Sequence, residues 1–263
     1  MEIFHAVVLG IVQGVTEFFP VSSTAHLILV PWFLGWKGVV NSLSFDIALH
    51  VGTLIALAVY FFKDWLEMFI IKQKRKLLLF IVVATIPGAV AGKLLDKFVE
   101  TTLRTPWVIA VSLIVVGIVM LITERIGIKV QTIERISLSD AVLIGIAQAF
   151  ALIPGVSRSG STISMGLFLG MKRQDAARFS FLLSTPIVAG AALLHGIHIL
   201  KGQSVDFNLP MFASGVLASF ISGMLAIKFL LSFFKRFSLN WFVYYRFILA
   251  AVIIISVTVW QKS

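Results

Sequence analysis

The amino-acid sequence predicts an all-α polytopic membrane protein with six transmembrane helices, two re-entrant helix–loop–helix hairpins and an inverted-topology repeat. Three observations lead to this prediction. The 263 residues are 59% hydrophobic and only 13% charged, whereas about a quarter of a soluble domain is charged. The charges lie between long apolar stretches, and two further apolar stretches are interrupted by Pro, Ser and Gly. The two halves of the chain also share a sequence pattern.

The first interrupted stretch is Ile3–Trp36, which is broken around Pro20 to Thr24. Each part is shorter than the roughly 20 helical residues that a bilayer core requires. Irregular backbone at membrane depth is tolerated only where protein or a polar cavity satisfies its N–H and C=O groups. We therefore expect this stretch to enter the membrane and to return to the side from which it came.

The uninterrupted apolar stretches are long enough to cross the bilayer as single helices. A second interrupted stretch, Ser139–Gly170, lies between the third and fourth of them and is broken around Pro154 to Gly160. The sequence thus predicts two copies of one unit, in which a hairpin is followed by three spans. The predicted spans are Ser44–Phe62, Leu77–Leu95, Thr105–Ile122, Arg178–Ile199, Met211–Leu231 and Trp241–Trp260.

The repeat rests on matching positions in the two hairpins. Gly10-Ile11-Val12-Gln13 recurs 135 residues later as Gly145-Ile146-Ala147-Gln148, and at this offset Ser22 falls on Ser157. Chance alignment of apolar sequences is the alternative, which the coincidence of these clusters disfavours. Because each half has an odd number of spans, the second copy is expected to be inverted in the membrane. We predict a single membrane domain, 1–263, with repeats at 1–123 and 139–260.

Basic residues are concentrated in alternate loops, such as the stretch from Lys63 to Lys76. By the positive-inside rule these loops are cytoplasmic, so that the first hairpin enters from the outer face and the second from the cytoplasm. The tips of the hairpins are then expected to meet near the midplane. The same loops and anionic lipid headgroups account for the net charge of +10, so no nucleic-acid partner is expected.

The first break contains a carboxylate in an apolar environment. Gln13 and Glu17 are four residues apart and share one helix face. An ionisable group within a membrane is a functional candidate by default, although a glutamate at a helix end that reaches water is the alternative. His26 follows in the first turn of the next helix. Its ring is a candidate for proton transfer, and a structural histidine is the alternative.

The hydroxyls of both breaks are placed where a new helix begins. Ser22, Ser23 and Thr24 in the first break can cap free backbone N–H groups. The same N–H groups, together with the positive end of the helix, can also bind an anion. In the second break Ser157, Ser159 and Thr162 offer further hydroxyl donors.

Arg158 is the charged residue of the second break. Its planar guanidinium fits a phosphate in bidentate fashion. The alternative is a salt bridge to Glu17 across the two hairpins. That contact is compatible with function, because a substrate phosphate can share or displace it. Two helix N-termini, an arginine and several hydroxyls form a suitable binding site for a phosphate that undergoes transfer.

With these residues in view, the chain resembles the undecaprenyl pyrophosphate phosphatase family, also called the bacitracin-resistance family. The resemblance is carried by two segments and extends over nearly the whole chain. The segment from Gln13 to His26 is similar to the family's Glu/Gln-x-x-x-Glu motif, which is followed by Ser-Ser-Thr and His. The segment from Pro154 to Thr162 is similar to the family's Pro-Gly-x-Ser-Arg-Ser-x-x-Thr motif. One position varies: Gln13 stands where many members have Glu, so it is expected to form hydrogen bonds or to orient water.

The resemblance implies hydrolysis of undecaprenyl pyrophosphate to undecaprenyl phosphate and inorganic phosphate at the outer face of the bacterial plasma membrane. It also implies recycling of the lipid carrier for peptidoglycan synthesis, bacitracin resistance, and a divalent cation, Mg²⁺ or Ca²⁺. A homodimer is compatible with the sequence.

Four residues are the expected catalytic groups: Glu17 as base or metal ligand, Ser23 as nucleophile, His26 for proton transfer or as nucleophile, and Arg158 for charge stabilisation. Attack by water stays open. The expected substrate-binding residues are Gln13, Ser22, Thr24, Ser157, Ser159 and Thr162.

Two observations limit the other functional classes. The absence of cysteine excludes thiolate nucleophiles and disulfides. Inverted repeats with broken helices are also typical of transporters, so a carrier or flippase of a phosphorylated lipid or anion is the main alternative. A carrier needs the phosphate site, but it does not need a nucleophile with acid–base partners. The sequence therefore favours the phosphatase.

Overall fold

The computed structural model describes residues 2–200 and 208–260. These ranges fold into helices joined by short turns, and the only β-structure within them is a single bridge between Gln131 and Met171. The helices are α1 (Glu2–Thr16), α2 (Ser23–Leu34), α3 (Leu43–Tyr60), α4 (Phe62–Ile70), α5 (Arg75–Phe98), α6 (Pro106–Ile126), α7 (Leu138–Phe150), α8 (Arg158–Phe168), α9 (Arg173–Leu200), α10 (Leu209–Phe233) and α11 (Asn240–Trp260).

Six of the described helices are long and apolar enough to cross a membrane: α3, α5, α6, α9, α10 and α11. They correspond to the six predicted spans, and most boundaries differ by only a few residues. The largest difference is at α9, which begins at Arg173, before the predicted start at Arg178. Arg178 is therefore inside the helix, where its guanidinium forms an ion pair with Asp64 in α4.

The remaining apolar helices are the short pairs α1–α2 and α7–α8. α1 ends at Thr16, four residues before Pro20, where the sequence had placed the break. We call the connecting residues 17–22 loop 1, and the corresponding residues 151–157 between α7 and α8 loop 2. Each loop overlaps the predicted break but begins three residues earlier, and each leads directly into the first turn of a new helix.

Glycines allow these short helices to pack closely against the long ones. α1 packs along α10, and α7 packs along α5. A Cβ atom at Gly10 would lie 2.4 Å from the carbonyl oxygen of Gly215 in α10, and one at Gly145 would lie 2.5 Å from that of Ala84 in α5. A larger residue in place of either glycine would force the two helices apart, because the atom that its Cβ would meet is a backbone carbonyl oxygen of the other helix.

Gly10→Ala is expected to destabilise the fold by about 1–3 kcal/mol, because the added methyl group forces α1 away from α10. The thermal unfolding midpoint of the purified protein in detergent measures the effect. Gly92→Ala is the matched control, since a Cβ atom there would meet only the Leu152 side chain at 3.9 Å. An unchanged midpoint for Gly10→Ala would contradict the close packing of the two helices.

Candidate active site

A cavity of about 240 Å³ lies where the two loops meet α3 and α9. One wall is polar and comes from loop 1, loop 2 and the first residues of α2 and α8. The opposite wall is apolar and comes mainly from α9. The lining residues are Glu17, Ser22, Ser23, Thr24, Ile47, His50, Ala151, Ser157, Arg158, Ile187, Val188, Ala191 and Ala192.

Glu17 is the central group of the polar wall. Its side chain is buried, and Oε1 accepts a hydrogen bond from Arg158 Nη2 at 2.6 Å. Its Oε2 atom accepts from Ser23 Oγ at 2.6 Å and from Gln13 Nε2 at 3.0 Å. His50 Nε2 lies 3.5 Å from the same oxygen. One carboxylate of loop 1 thus contacts Ser23 in the first turn of α2, His50 in α3 and Arg158 at the start of α8.

Each loop ends in a serine that caps the helix after it. Ser22 Oγ accepts from the backbone N–H of Ala25, and Ser157 Oγ accepts from that of Gly160. Both serines have positive φ angles, 75° and 72°, which non-glycine residues rarely adopt. The two caps turn the N-termini of α2 and α8 toward one cavity, and a helix N-terminus attracts anions.

Hydrogen bonds also connect the two loops directly. The backbone N–H of Gly155 donates to Ser22 Oγ at 3.2 Å, and Ser159 Oγ donates to the carbonyl oxygen of Phe19 at 3.1 Å. Together with the Glu17–Arg158 pair, these bonds fix loop 1 against the start of α8. The structure therefore has the salt bridge that the sequence offered as the alternative use of Arg158.

One donor nitrogen of Arg158 has no partner among the described residues in this arrangement. Nη2 is bonded to Glu17, whereas Nη1 is buried and has no hydrogen-bond partner among the described residues. A buried donor without a partner carries a desolvation penalty of about 1–3 kcal/mol. Arg158 is also one of the residues that line the cavity.

His26 occupies a different place from the one that the sequence suggested. It is not among the described residues that line the cavity. Its Nδ1 donates to the carbonyl oxygen of Ser22 at 2.7 Å, so in the neutral ring Nε2 accepts from the Tyr245 hydroxyl at 2.6 Å. Both ring nitrogens are occupied, and the ring supports loop 1 from the side of α11.

Three expected substrate-binding residues also lie behind the cavity wall. Gln13 reaches the site only through its hydrogen bond to Glu17. Ser159 is bonded to loop 1, and Thr162 Oγ1 donates to the carbonyl oxygen of Arg158 at 2.7 Å. Ser22, Thr24 and Ser157, by contrast, line the cavity directly.

Three residues around the site are not among the expected site residues: His50, Tyr245 and Arg246. His50 lines the cavity on α3, and its Nδ1 donates to the carbonyl oxygen of Asp46 at 2.8 Å. Tyr245 and Arg246 lie six and seven residues into the long helix α11. The position of Arg246 in the sequence could have indicated its importance. An arginine well inside a membrane span is a functional candidate, whereas an arginine at the end of a span is not.

The cavity does not fit a resident divalent cation. Glu17 is the only described carboxylate in its lining, and both of its oxygens already accept hydrogen bonds. No cluster of three or more His, Asp or Glu that could hold a metal occurs in the described ranges. Magnesium sites usually combine one or two carboxylates with phosphate oxygens of the substrate, so this cavity, with Glu17 alone, could hold a cation only together with the substrate.

Comparison with known proteins agrees with the motifs. The family model described as "Bacitracin resistance protein BacA" matches residues 6–252, which include both loops and α11 as far as Val252. The chain belongs to the BacA family. With six long apolar helices, this BacA-family chain is a multi-pass membrane protein.

Individual relatives match over nearly their whole length. A protein of Thermodesulfovibrio yellowstonii is 56% identical, covering 96% of both chains. One of Rubrobacter xylanophilus is 46% identical over 96% of this chain and 97% of its own. A third, of Moorella thermoacetica, is 47% identical over 97% of both. All three are named undecaprenyl-diphosphatase.

The contact between Glu17 and Arg158 can be measured by a double-mutant cycle on unfolding in detergent. Glu17→Ala and Arg158→Met are each expected to cost about 3–5 kcal/mol, because each leaves a buried charge without its partner. The double variant should lose less than the sum, with a coupling of up to about 3 kcal/mol.

The exposed Lys228 of α10 provides the control for this cycle. Glu17→Ala combined with Lys228→Met should be additive within about 0.5 kcal/mol, since Lys228 has no ion pair with Glu17 among the described residues. Additivity of the Glu17 and Arg158 variants would show that the pair does not join the loops.

Proposed function

We propose that this chain hydrolyses undecaprenyl diphosphate to undecaprenyl phosphate and inorganic phosphate. One observation carries the proposal: a serine hydroxyl is bonded to a buried carboxylate, which is itself paired with an arginine at the wall of a cavity. A hydroxyl and a cation that both lie within hydrogen-bond distance of one base are the groups that phosphoryl transfer needs. The relatives named undecaprenyl-diphosphatase support the choice of substrate.

The terminal phosphate is proposed to bind between the N-termini of α2 and α8. Both termini carry positive partial charge, and the free Nη1 of Arg158 is available for a phosphate oxygen. The hydroxyls of Ser22, Thr24 and Ser157 line the same cavity. These donors are held in place before the substrate arrives, so that they stabilise the charge of the transition state without rearrangement.

Ser23 is the proposed nucleophile. As its Oγ forms a bond to the terminal phosphorus, its proton passes to Glu17 Oε2, 2.6 Å away. The bond from phosphorus to the bridging oxygen breaks, and undecaprenyl phosphate leaves with the bonding electrons. Glu17 gives the serine proton to the departing phosphate oxygen and then removes a proton from water, which attacks the phosphoserine. The bond from phosphorus to Ser23 Oγ breaks, and Ser23 Oγ takes the proton back from Glu17 as inorganic phosphate is released. Direct attack by water with Glu17 as base remains the alternative.

The remaining residues are proposed to support these steps. Gln13 orients Glu17 through the hydrogen bond to Oε2. His26 positions Ser23 through its bond to Ser22, which favours a supporting role over its earlier assignment as proton carrier or nucleophile. Ser159 and Thr162 stabilise the start of α8 from behind.

The expected cation is proposed to enter with the substrate. Since the cavity lacks a resident site, Mg²⁺ or Ca²⁺ would be bound chiefly by the diphosphate oxygens, as a component of the substrate. No step above depends on it.

The inverted repeat and the re-entrant hairpins are part of the same proposal. The serines 135 residues apart, Ser22 and Ser157, cap their helices with the same unusual backbone conformation, and the packing of α1 on α10 is matched by that of α7 on α5. With basic loops on the cytoplasmic side, the site would open to the outer face of the bacterial plasma membrane. There the enzyme would return the carrier lipid to peptidoglycan synthesis and confer bacitracin resistance.

Phosphate release from undecaprenyl diphosphate by the purified protein in detergent tests the activity. Release is expected with Mg²⁺ or Ca²⁺ present, and Glu17→Gln is expected to lower kcat by at least about 100-fold, since an amide cannot accept the proton. No membrane barrier exists in detergent, so a pure carrier would release no phosphate. Folded protein without activity would therefore favour the carrier.

The nucleophile can be identified by acid quenching with substrate labelled in its terminal phosphate. We expect labelled protein with the label on Ser23, and none for Ser23→Ala, whose kcat should fall by about 100-fold or more. Ser214→Ala is the control, because that hydroxyl bonds only within α10 among the described residues. Turnover by Ser23→Ala near the parent rate would assign the attack to water.

A further inference from the structure

Arg246 of α11 is the largest fully buried side chain among the described residues, with 0% of its surface exposed. Within the described ranges, its guanidinium donates hydrogen bonds to backbone carbonyl groups only. Nε donates to Leu113, Nη1 to Pro20, and Nη2 to Ser112, Gly155 and Val156, at 2.8–3.3 Å.

These five carbonyl groups belong to three separate parts of the site. Pro20 lies in loop 1, Gly155 and Val156 lie in loop 2, and Ser112 and Leu113 lie in α6. One rigid guanidinium therefore holds both loops against α6 and α11. Lysine could not make this pattern, because it is a point charge on a flexible stem, whereas arginine presents its donors in a fixed plane.

The charge of Arg246 has no partner of opposite sign. No carboxylate within the described ranges forms an ion pair with it, and arginine stays protonated in proteins. Its Nη1 lies 3.7 Å from the position that a Cβ atom would take at Gly160, in the first turn of α8. The positive charge is thus directly behind the helix N-terminus that faces the cavity.

The net charge of the two loops and Arg246 favours the binding of an anion. Glu17 is neutralised by Arg158, so Arg246 leaves the two loops with one unmatched positive charge. In a water-poor environment such a charge acts over a longer distance than it does in water. It would raise the affinity for a diphosphate that it never touches.

We propose that Arg246 is a positioning residue with a second, electrostatic role: it locks the two loops together and adds positive charge to the diphosphate site from behind. The catalytic part of this inference rests on the proposed phosphatase function. The binding part does not, because a carrier of a phosphorylated lipid would need the same charge. The two parts are therefore measured separately.

Binding is measured with inorganic diphosphate by calorimetry, on protein carrying Ser23→Ala so that no turnover occurs. Arg246→Lys keeps the charge, and its Kd is expected within about threefold of the parent. Arg246→Gln removes the charge, and its Kd is expected to rise by about tenfold or more. Lys228→Gln, which removes an exposed positive charge from α10, is the matched control and should bind as the parent does.

Turnover of undecaprenyl diphosphate is measured with Ser23 intact. Both Arg246 variants are expected to lose about tenfold or more in kcat, because neither can hold the five carbonyl groups. Only Arg246→Gln should also raise KM. This difference separates the charge from the positioning, and a purely structural role would not produce it. Thermal midpoints establish the folded fraction of each variant.

Three results would overturn the proposal. If Arg246→Gln bound diphosphate as tightly as the parent, the charge would have no role. If Arg246→Lys kept the parent kcat, the fixed set of hydrogen bonds would not position the loops. If neither variant folded while Lys228→Gln did, Arg246 would serve stability alone. Absence of turnover in the parent, with the expected changes in Kd, would instead refute the phosphatase and leave the charge role intact.

Discussion

The ion pair between Glu17 and Arg158 is the interaction on which the rest of the site depends. It joins residues 141 positions apart in the sequence, and it brings two helix N-termini to one cavity. Burying two opposite charges is costly unless the geometry is good and further hydrogen bonds satisfy the remaining atoms. Gln13 and Ser23 supply such bonds to the carboxylate, so the groups that stabilise the pair are also those that surround the proposed reacting atoms.

The long helices make this contact possible by bringing both loops to the same cavity. Glycines let α1 lie directly on α10 and α7 directly on α5, with backbone meeting backbone. Helix α11 then completes the arrangement through two adjacent residues, with Tyr245 bonded to His26 and Arg246 bonded to both loops. Close packing of small residues and satisfied backbone carbonyl groups are what allow irregular loops to persist within an apolar protein.

The two arginines have different contacts in the proposed phosphate site. Arg158 lines the cavity and has one donor without a partner among the described residues, which is the donor proposed to bind a phosphate oxygen. Arg246 is fully enclosed, and its hydrogen bonds serve the backbone. A site with one carboxylate and two guanidinium groups has net positive charge at rest, which suits a substrate with several negative charges.

The sequence by itself determined the helical membrane architecture and the location of both breaks. Apolar length alone decides which helices can span a bilayer, and Pro, Ser and Gly at those two positions interrupt the helix through local backbone preferences. It also singled out Glu17, Ser23 and Arg158, which line the cavity, because ionisable and hydroxyl groups in an apolar segment are conspicuous.

Only the tertiary structure decided which side chains share the cavity. His50 enters it from α3, while His26 turns toward Tyr245, because the direction of a side chain depends on how separate helices pack against one another. The role of Arg246 could not be derived from sequence for the same reason. Its partners are backbone carbonyl groups, which every residue has, and nothing in the order of the residues shows which of them will meet.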